Sequence, residues 1–155
     1  MFNFAIDAAI ENPTIIFVLR LHPLVSQKDL LRDFPRFRKL PQNVYFSTQS
    51  LMEDFKQSKW ILYRASSTAI YAVLEGLRPI YLGKDDEMIV DSLFGLKWWK
   101  KSIYSYTELK SHIDSDLAKP ISKLLPEYIP AYDFCNNYFI PLRNDDFLGI
   151  IKQKV

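Results

Sequence analysis

The stretch Ser58–Leu82, SKWILYRASSTAIYAVLEGLRPIYL, spells out a strand, a turn, a helix and a second strand. Trp60–Tyr63 is a short apolar run that ends on Arg64. Ala65-Ser66-Ser67 follows, and Ser66 or Ser67 is a natural cap for the next helix. Ala69, Ile70, Val73 and Leu74 lie three or four apart and so share one helical face. Gly76 stands where a helix C-terminal glycine is expected, and Pro79-Ile80-Tyr81-Leu82 opens the second apolar run. A polar turn between a buried strand and a helix start is where open α/β sheets bind ligands. The free N–H groups and positive dipole end there suit an anion.

A second unit repeats the form. Thr14–Leu19, TIIFVL, is apolar and β-branched and runs into Arg20. Leu21-His22-Pro23 follows, and Ser26 opens a helix through Phe34, stopped by Pro35. The near absence of alternation in Thr14–Leu19 predicts a strand covered on both faces. Two strands thus end in arginine before a polar turn. Parallel pairing would gather Arg20, His22, Arg64, Ser66 and Ser67 at one sheet edge.

Outward from these units, Phe2, Ala5, Ile6, Ala9 and Ile10 predict an amphipathic helix ended by Asn12-Pro13. Asn43–Phe46 reads as a short strand after a Phe37–Gln42 loop, and Leu51–Gln57 as a helix capped by Ser47, Thr48 or Ser50. Beyond the central unit, Gly83–Asp86 is a turn, Glu87–Leu93 a short helix and Ser102–Tyr106 a last strand. Thr107 caps a helix over Glu108–Ile113, Asp114–Pro120 is a linker and Ile121–Leu125 a short helix. Pro126, Pro130 and Pro141 punctuate an aromatic tail, and Phe147–Lys154 is a final helix. Strands alternating with helices give an α/β class: a Rossmann-like parallel sheet with helices on both faces.

The composition bounds this picture. A chain of 155 residues with 48% hydrophobic content is one domain with a real core. A formal charge of +2, scattered apart from the Lys97–Lys101 run KWWKK, argues against a nucleic-acid partner. The single cysteine, Cys135, excludes an intrachain disulfide and a cysteine-rich zinc site. No apolar run approaches the roughly 18–20 residues of a membrane span. The opening residues carry Asp7 and no charged head, unlike a signal peptide, so the expected location is cytoplasmic.

Each candidate residue has two readings. His22 donates to a phosphate or polarises a leaving group, or it is a loop histidine held by a carbonyl. Ser66 and Ser67 bind phosphate oxygens, or they simply cap a helix, and the two roles are compatible. Arg20 and Arg64 neutralise an anion or pair with acids such as Asp86. Asp85-Asp86 is a solvated turn rather than a metal site. Trp98 and Trp99 among lysines either touch a membrane surface, placing the protein at the periphery of an inner membrane, or divide between core and surface. The four glycines, at 76, 83, 95 and 149, form no dinucleotide fingerprint and no phosphate loop. No metal and no cofactor is expected.

An apolar strand into R-L-H-P, a short strand, then a strand into A-S-S and a helix ending G-L-R-P-I resembles the C-terminal donor-binding domain of GT-B type glycosyltransferases. The resemblance spans about Phe2–Leu82. It is to bacterial sialyltransferases, polysialyltransferases, capsule Kdo transferases and teichoic-acid-type glycerophosphotransferases, whose usual donors are cytidine-nucleotide conjugates. It implies that the chain is the donor-binding half of a metal-independent, inverting enzyme of surface-polysaccharide synthesis. His22, with Pro23, would contact the donor phosphate as the catalytic group, and Ser66 and Ser67 would hold the same phosphate. Arg20 and Arg64 would complete the substrate-binding edge. The glycan acceptor and the general base would belong to a missing N-terminal domain, leaving the isolated chain inactive. Tyr71 stands where many relatives carry a ribose-binding glutamate. That departure keeps a nucleotide-sugar epimerase-like domain and a non-catalytic nucleotide or protein interaction module open. Such domains also begin with a strand in mid-sheet, whereas this chain opens on a helix; the strands at Thr14 and Trp60 are therefore expected to pair directly.

Overall fold

The computed structural model describes residues 1–88 and 90–139. The protein is an α/β molecule with a Rossmann-like alternation of elements. In chain order these are α1 (Phe2–Glu11), β1 (Phe17–Leu19), α2 (Gln27–Asp33), β2 (Val44–Phe46), α3 (Leu51–Gln57), β3 (Trp60–Tyr63), α4 (Thr68–Leu74), β4 (Arg78–Leu82), β5 (Lys101–Ile103), α5 (Tyr106–Ala118) and α6 (Ile121–Asn136). A 3-10 turn at Pro35–Arg38 occupies part of the expected Phe37–Gln42 loop.

All strand pairs are parallel, in two sheets: β1 with β2, and β3–β4–β5. Both sheets run the same way, because α1 crosses both. The Asn43 amide, just ahead of β2, donates to the carbonyls of Ala9, Asn12 and Ile15 at 3.0, 3.1 and 2.8 Å, tying the end of α1 to the start of that sheet. At its other end, Phe4 packs on Tyr106, which follows β5, with ring centroids 4.6 Å apart, so α1 begins near the carboxyl edge of the larger sheet. The expected direct pairing of β1 with β3 does not occur. Helix α1 straddles the seam instead: Ala5, Ile6 and Ala9 pack over β1 and β2, and Ala8 over β4 and β5.

Helices cover both faces of the larger sheet. On one side Ala8, Ile80, Leu82, Ile103, Leu109 and Ile113 form a core under α1 and α5. On the other, Tyr63, Ile70, Val73, Tyr81 and Leu93 pack against Ala131 and Cys135 of α6. Strand β4 is buried throughout. Its ladder also explains Pro79: Arg78 N–H donates to Lys59 O and Gly83 N–H to Ile103 O, so Pro79 lacks its N–H on the β5 side, one residue before β5 begins.

Several stretches differ from the sequence expectation. The first strand is only Phe17–Leu19, and exposed Ile16 shows that its start is not covered on both faces; the last strand is Lys101–Ile103, with Tyr106 already in α5. Glu87–Leu93 forms no helix among its described residues; Asp91 accepts from the Leu93 N–H at 2.9 Å, and such local bonds compete with helix. The linker expected at Asp114–Pro120 is mostly helix. Ser105, not Thr107, caps α5 by accepting the Glu108 N–H at 3.2 Å, and Leu109, Ile113 and Asp116 carry its buried face to the end. Finally, α6 runs through Pro126 and Pro130. Both prolines are exposed, so the carbonyls they leave unbonded meet water, while Leu124, Tyr128, Ala131 and Cys135 hold the buried side at helical spacing. The expected Phe147–Lys154 helix lies outside the described residues.

Asp116 forms part of the most buried polar centre. Arg78, 3% exposed, donates to Asp116 at 2.6 Å, to Glu127 at 2.5 Å and to the Trp99 carbonyl at 2.9 Å. Trp60 Nε1 donates to the other Asp116 oxygen at 3.0 Å. Burial pushes the Glu127 carboxyl up, but Arg78 and Lys119 overcome it and hold the group below its ordinary range. Among the described residues no buried side-chain nitrogen or oxygen lacks a hydrogen-bond partner, as a buried charge requires.

Candidate functional site

The carboxyl ends of β1 and β3 carry the two polar turns. After β1, the His22 carbonyl accepts the Val25 N–H at 2.8 Å and its ring Nδ1 accepts the Leu24 N–H at 3.2 Å. With Nδ1 engaged as an acceptor, the neutral ring carries its proton on Nε2, which makes His22 a donor. His22 and Pro23 are both exposed.

Arg20 turns toward β2 and α3. Its guanidinium contacts Asp54 and donates to the Gln49 carbonyl at 2.9 Å and to Ser47 Oγ at 3.3 Å. Ser47 Oγ in turn donates to Asp54 at 2.8 Å. Asp54 is fixed by α3, whose start is locked by a reciprocal capping box between Ser50 and Glu53. Sequence spacing does not reveal Asp54 as the partner, because the pair spans 34 positions.

After β3, Arg64 pairs with Glu87 rather than with Asp86, and Lys84 bonds the other Glu87 oxygen at 2.7 Å. Ala65 takes a left-handed φ of 50°, and its N–H donates to the Val90 carbonyl at 3.1 Å. Ser66 Oγ accepts the Thr68 N–H at 3.3 Å, while the Ser66 carbonyl accepts the Ser92 hydroxyl at 2.7 Å. Ser67 is the N-cap residue of α4, makes no side-chain cap bond and is exposed. The turn is therefore braced from below by the 90–92 segment, and one hydroxyl, that of Ser67, is free of it.

Beneath the turn lies a second polar cluster. Tyr63 OH donates to Asp91 at 2.6 Å, and Lys100 bonds the other Asp91 oxygen at 2.5 Å and the Leu93 carbonyl at 2.9 Å. Burial first, and the Asp91 hydrogen bond second, push the Tyr63 phenol well above its ordinary range. The Tyr63–Asp91 bond therefore braces the turn from below. Lys100, one of the KWWKK cations, is spent here.

Among the described residues, no hydrogen bond or ion pair joins the Arg20–Pro23 turn to the Arg64–Ser67 turn. Each arginine is bound within its own sheet's end. Two shallow hollows are lined by no residue of either turn: one of about 320 Å³ at Glu11, Asn12, Tyr106, Thr107 and Lys110, and one of about 340 Å³ at Met1, Phe2, Asn3, Leu30, Phe34 and Phe37. Tyr71 is half exposed and stacks on Phe139, with ring centroids 5.4 Å apart. Trp99 is in the core with its Nε1 bonded to the Leu77 carbonyl at 2.8 Å, whereas Trp98 is exposed. Among the described residues there is no group of three or more His, Cys, Asp or Glu that could hold a metal ion, and no helix long and apolar enough to cross a membrane.

The arrangement offers an exposed imidazole and a free serine hydroxyl as donors for an anion, while Arg20 and Arg64 are each matched by a carboxylate. No protein-family model, curated protein or solved structure matches the chain.

Proposed function

We propose that this chain is the donor-binding domain of a glycosyltransferase. It would hold a nucleotide-activated sugar, a cytidine nucleotide in preference, for transfer to a surface polysaccharide or other glycan acceptor carried by a separate N-terminal domain. The observation that carries the reading is the state of His22: its Nδ1 accepts a backbone N–H, so its Nε2 is a proton donor on an exposed turn at the end of β1. As an acceptor hydroxyl attacks the anomeric carbon, the nucleotide phosphate leaves with developing charge. A donor at that oxygen stabilises it. Ser66 and Ser67 would hold the same phosphate from the β3 turn, and Arg20 and Arg64 would reach it by leaving Asp54 and Glu87. The protein would work in the cytoplasm, with Trp98 available to a membrane surface.

Titration with CMP, CDP and UMP by calorimetry or NMR tests this. The unmodified chain should bind a cytidine nucleotide weakly. His22→Ala, and the double change Ser66→Ala with Ser67→Ala, should each weaken binding, at roughly 1.5–3 kcal/mol per hydrogen bond to a charged group. Equal affinity in all three proteins means that the phosphate sits elsewhere.

A second reading, a non-catalytic interaction module, is favoured by the pairing of Arg20 with Asp54 and of Arg64 with Glu87, which leaves neither cation uncompensated. Nucleotide binding below detection in the same titration selects it.

A further inference from the structure

The strand ends opposite the two turns carry a different charge. At this amino edge of the larger sheet Lys56 sits in the last turn of α3, Lys59 leads into β3, Lys101 opens β5 and Lys123 lies in the first turn of α6. Lys97 begins the KWWKK run just ahead of β5. The fold draws these ends together: Arg78 N–H donates to the Lys59 carbonyl at 2.9 Å, and its guanidinium binds both the Trp99 carbonyl and Glu127. Among the described residues, none of these five lysines is within ion-pair reach of a carboxylate. Asp116 and Glu127 are taken by Arg78, which leaves Glu75 as the acid of this edge. At the carboxyl edge, by contrast, Arg20, Arg64 and Lys84 each pair with an acid. Lysines scattered in the sequence are thus gathered, unmatched, on one edge of the sheet.

The same edge exposes large apolar side chains. Trp98, 58% exposed, stands between Lys97 and the buried Trp99. Leu117 and Ile121, 57% and 75% exposed, flank the Lys119–Pro120 corner where α5 gives way to α6. Both tips are held firmly. Pro120 caps α6 and Lys119 pairs with Glu127 at 3.5 Å, while Trp99 Nε1 fixes its loop to the Leu77 carbonyl at 2.8 Å. Apolar tips among lysines match a bilayer interface: tryptophan sits at headgroup depth, aliphatic side chains dip below it, and lysines meet the negative surface. The choice of cation points the same way. Nucleic-acid phosphates and base edges are gripped by the arginine fork, and the arginine of this edge, Arg78, is buried in its own ion pairs. A lipid surface is a diffuse field, for which lysine point charges suffice.

We propose that this amino edge is a docking surface for an anionic lipid bilayer. Trp98, Leu117 and Ile121 enter the headgroup layer. Lys97, Lys101 and Lys123 lie against the lipid phosphates, and Lys56 and Lys59 add to the field. The proposal rests on the membrane contact given to Trp98 above and extends it to a whole edge and to lipids of negative charge; nucleotide binding plays no part in it. A protein docked in this way holds the turns of His22 and Ser66 away from the bilayer, because they lie at the opposite ends of the strands.

The test is co-sedimentation of the full chain with vesicles of equal parts phosphatidylglycerol and phosphatidylcholine, and with vesicles of phosphatidylcholine alone. The chain should pellet with the anionic vesicles only, and high salt should release it. Lys97→Gln with Lys123→Gln should lower partitioning about 25-fold, at about fivefold per lysine. Lys28→Gln with Lys39→Gln makes the same charge change in exposed lysines outside this edge and should leave partitioning within about twofold. Trp98→Ala should weaken binding and abolish the blue shift of tryptophan fluorescence that the vesicles induce, because Trp99 is buried and Trp60 is bonded to Asp116. Failure to pellet with the anionic vesicles overturns the proposal. So does an equal loss in the two double variants, which makes the attraction one of net charge and not of this edge. Binding to a single-stranded RNA oligonucleotide without vesicle binding assigns the edge to nucleic acid and overturns it too. CMP titration of the same proteins keeps the two readings apart: nucleotide binding that fails while vesicles still bind counts against the donor-binding reading alone.

Discussion

Arg78 shows how a single residue can dominate stability without belonging to the site. It is an arginine at the first position of a strand whose five residues are all buried, and a charge there is tolerable only because Asp116, Glu127 and the Trp99 carbonyl meet it together. The ring of Trp99 adds a cation–π contact at 4.8 Å. Removing the guanidinium strands one buried carboxylate and one half-buried one. Arg78→Ala should cost about 3–5 kcal/mol in urea denaturation, the usual result of breaking a buried pair from one side. Arg78→Lys should recover only part, because a point charge cannot serve three acceptors in a fork. None of this was legible in the sequence, where Asp116 falls in a stretch with linker-like composition. Its partner Arg78 lies 38 positions away and is supplied only by the fold. Arg20 with Asp54 and Arg64 with Glu87 were hidden for the same reason: their partners are set by topology, not by spacing.

At the scale of elements, patterns with a local cause were readable. The β3–α4–β4 unit has the boundaries that its apolar runs, serine pair and glycine imply. Gly76 follows the C-cap of α4 with φ 88°, and a Cβ there would meet nothing within 4 Å. The cost of Gly76→Ala is therefore backbone strain alone, about 1–2 kcal/mol, less the entropy the alanine removes from the unfolded chain. Thermal denaturation should show a net loss of about 1 kcal/mol. Ala65→Gly, at φ 50°, should change stability little, because relief of the same strain is offset by the freer unfolded glycine. Helix α6 was misread because its prolines are stronger local signals than its buried periodicity. Burial of Ala131 and Cys135 against α4 outweighs two missing hydrogen bonds on the wet face. The same packing pushes the Cys135 thiol up to about 11, through burial.

The whole molecule is uneven. The larger sheet is covered on both faces and shares the Arg78 centre. The β1–β2 pair has three residues in each strand and leans on α1, and α2 beside it buries no residue. Local opening should therefore start in β1, α2 and β2. Native-state hydrogen exchange is expected to show these segments opening at markedly lower free energy than β4 and α4; a single common opening energy would contradict this division. The parallel class and helical coverage were legible from alternating strand and helix patterns. The split between sheets was not, because each strand's apolar run records that it is buried and says nothing of which neighbour pairs with it.

The Arg78 centre has a mechanical consequence. It rivets β4, α5, α6 and the Trp60 end of β3 at the amino edge, opposite the turns that carry His22 and Ser66. Force applied across the turn edge is borne by a fastening on the far side, so the three-stranded sheet answers as one stiff plate. The β1–β2 pair, which carries His22, lies outside that fastening and is held to the plate only by α1 and the shared packing of Phe17 and Leu62.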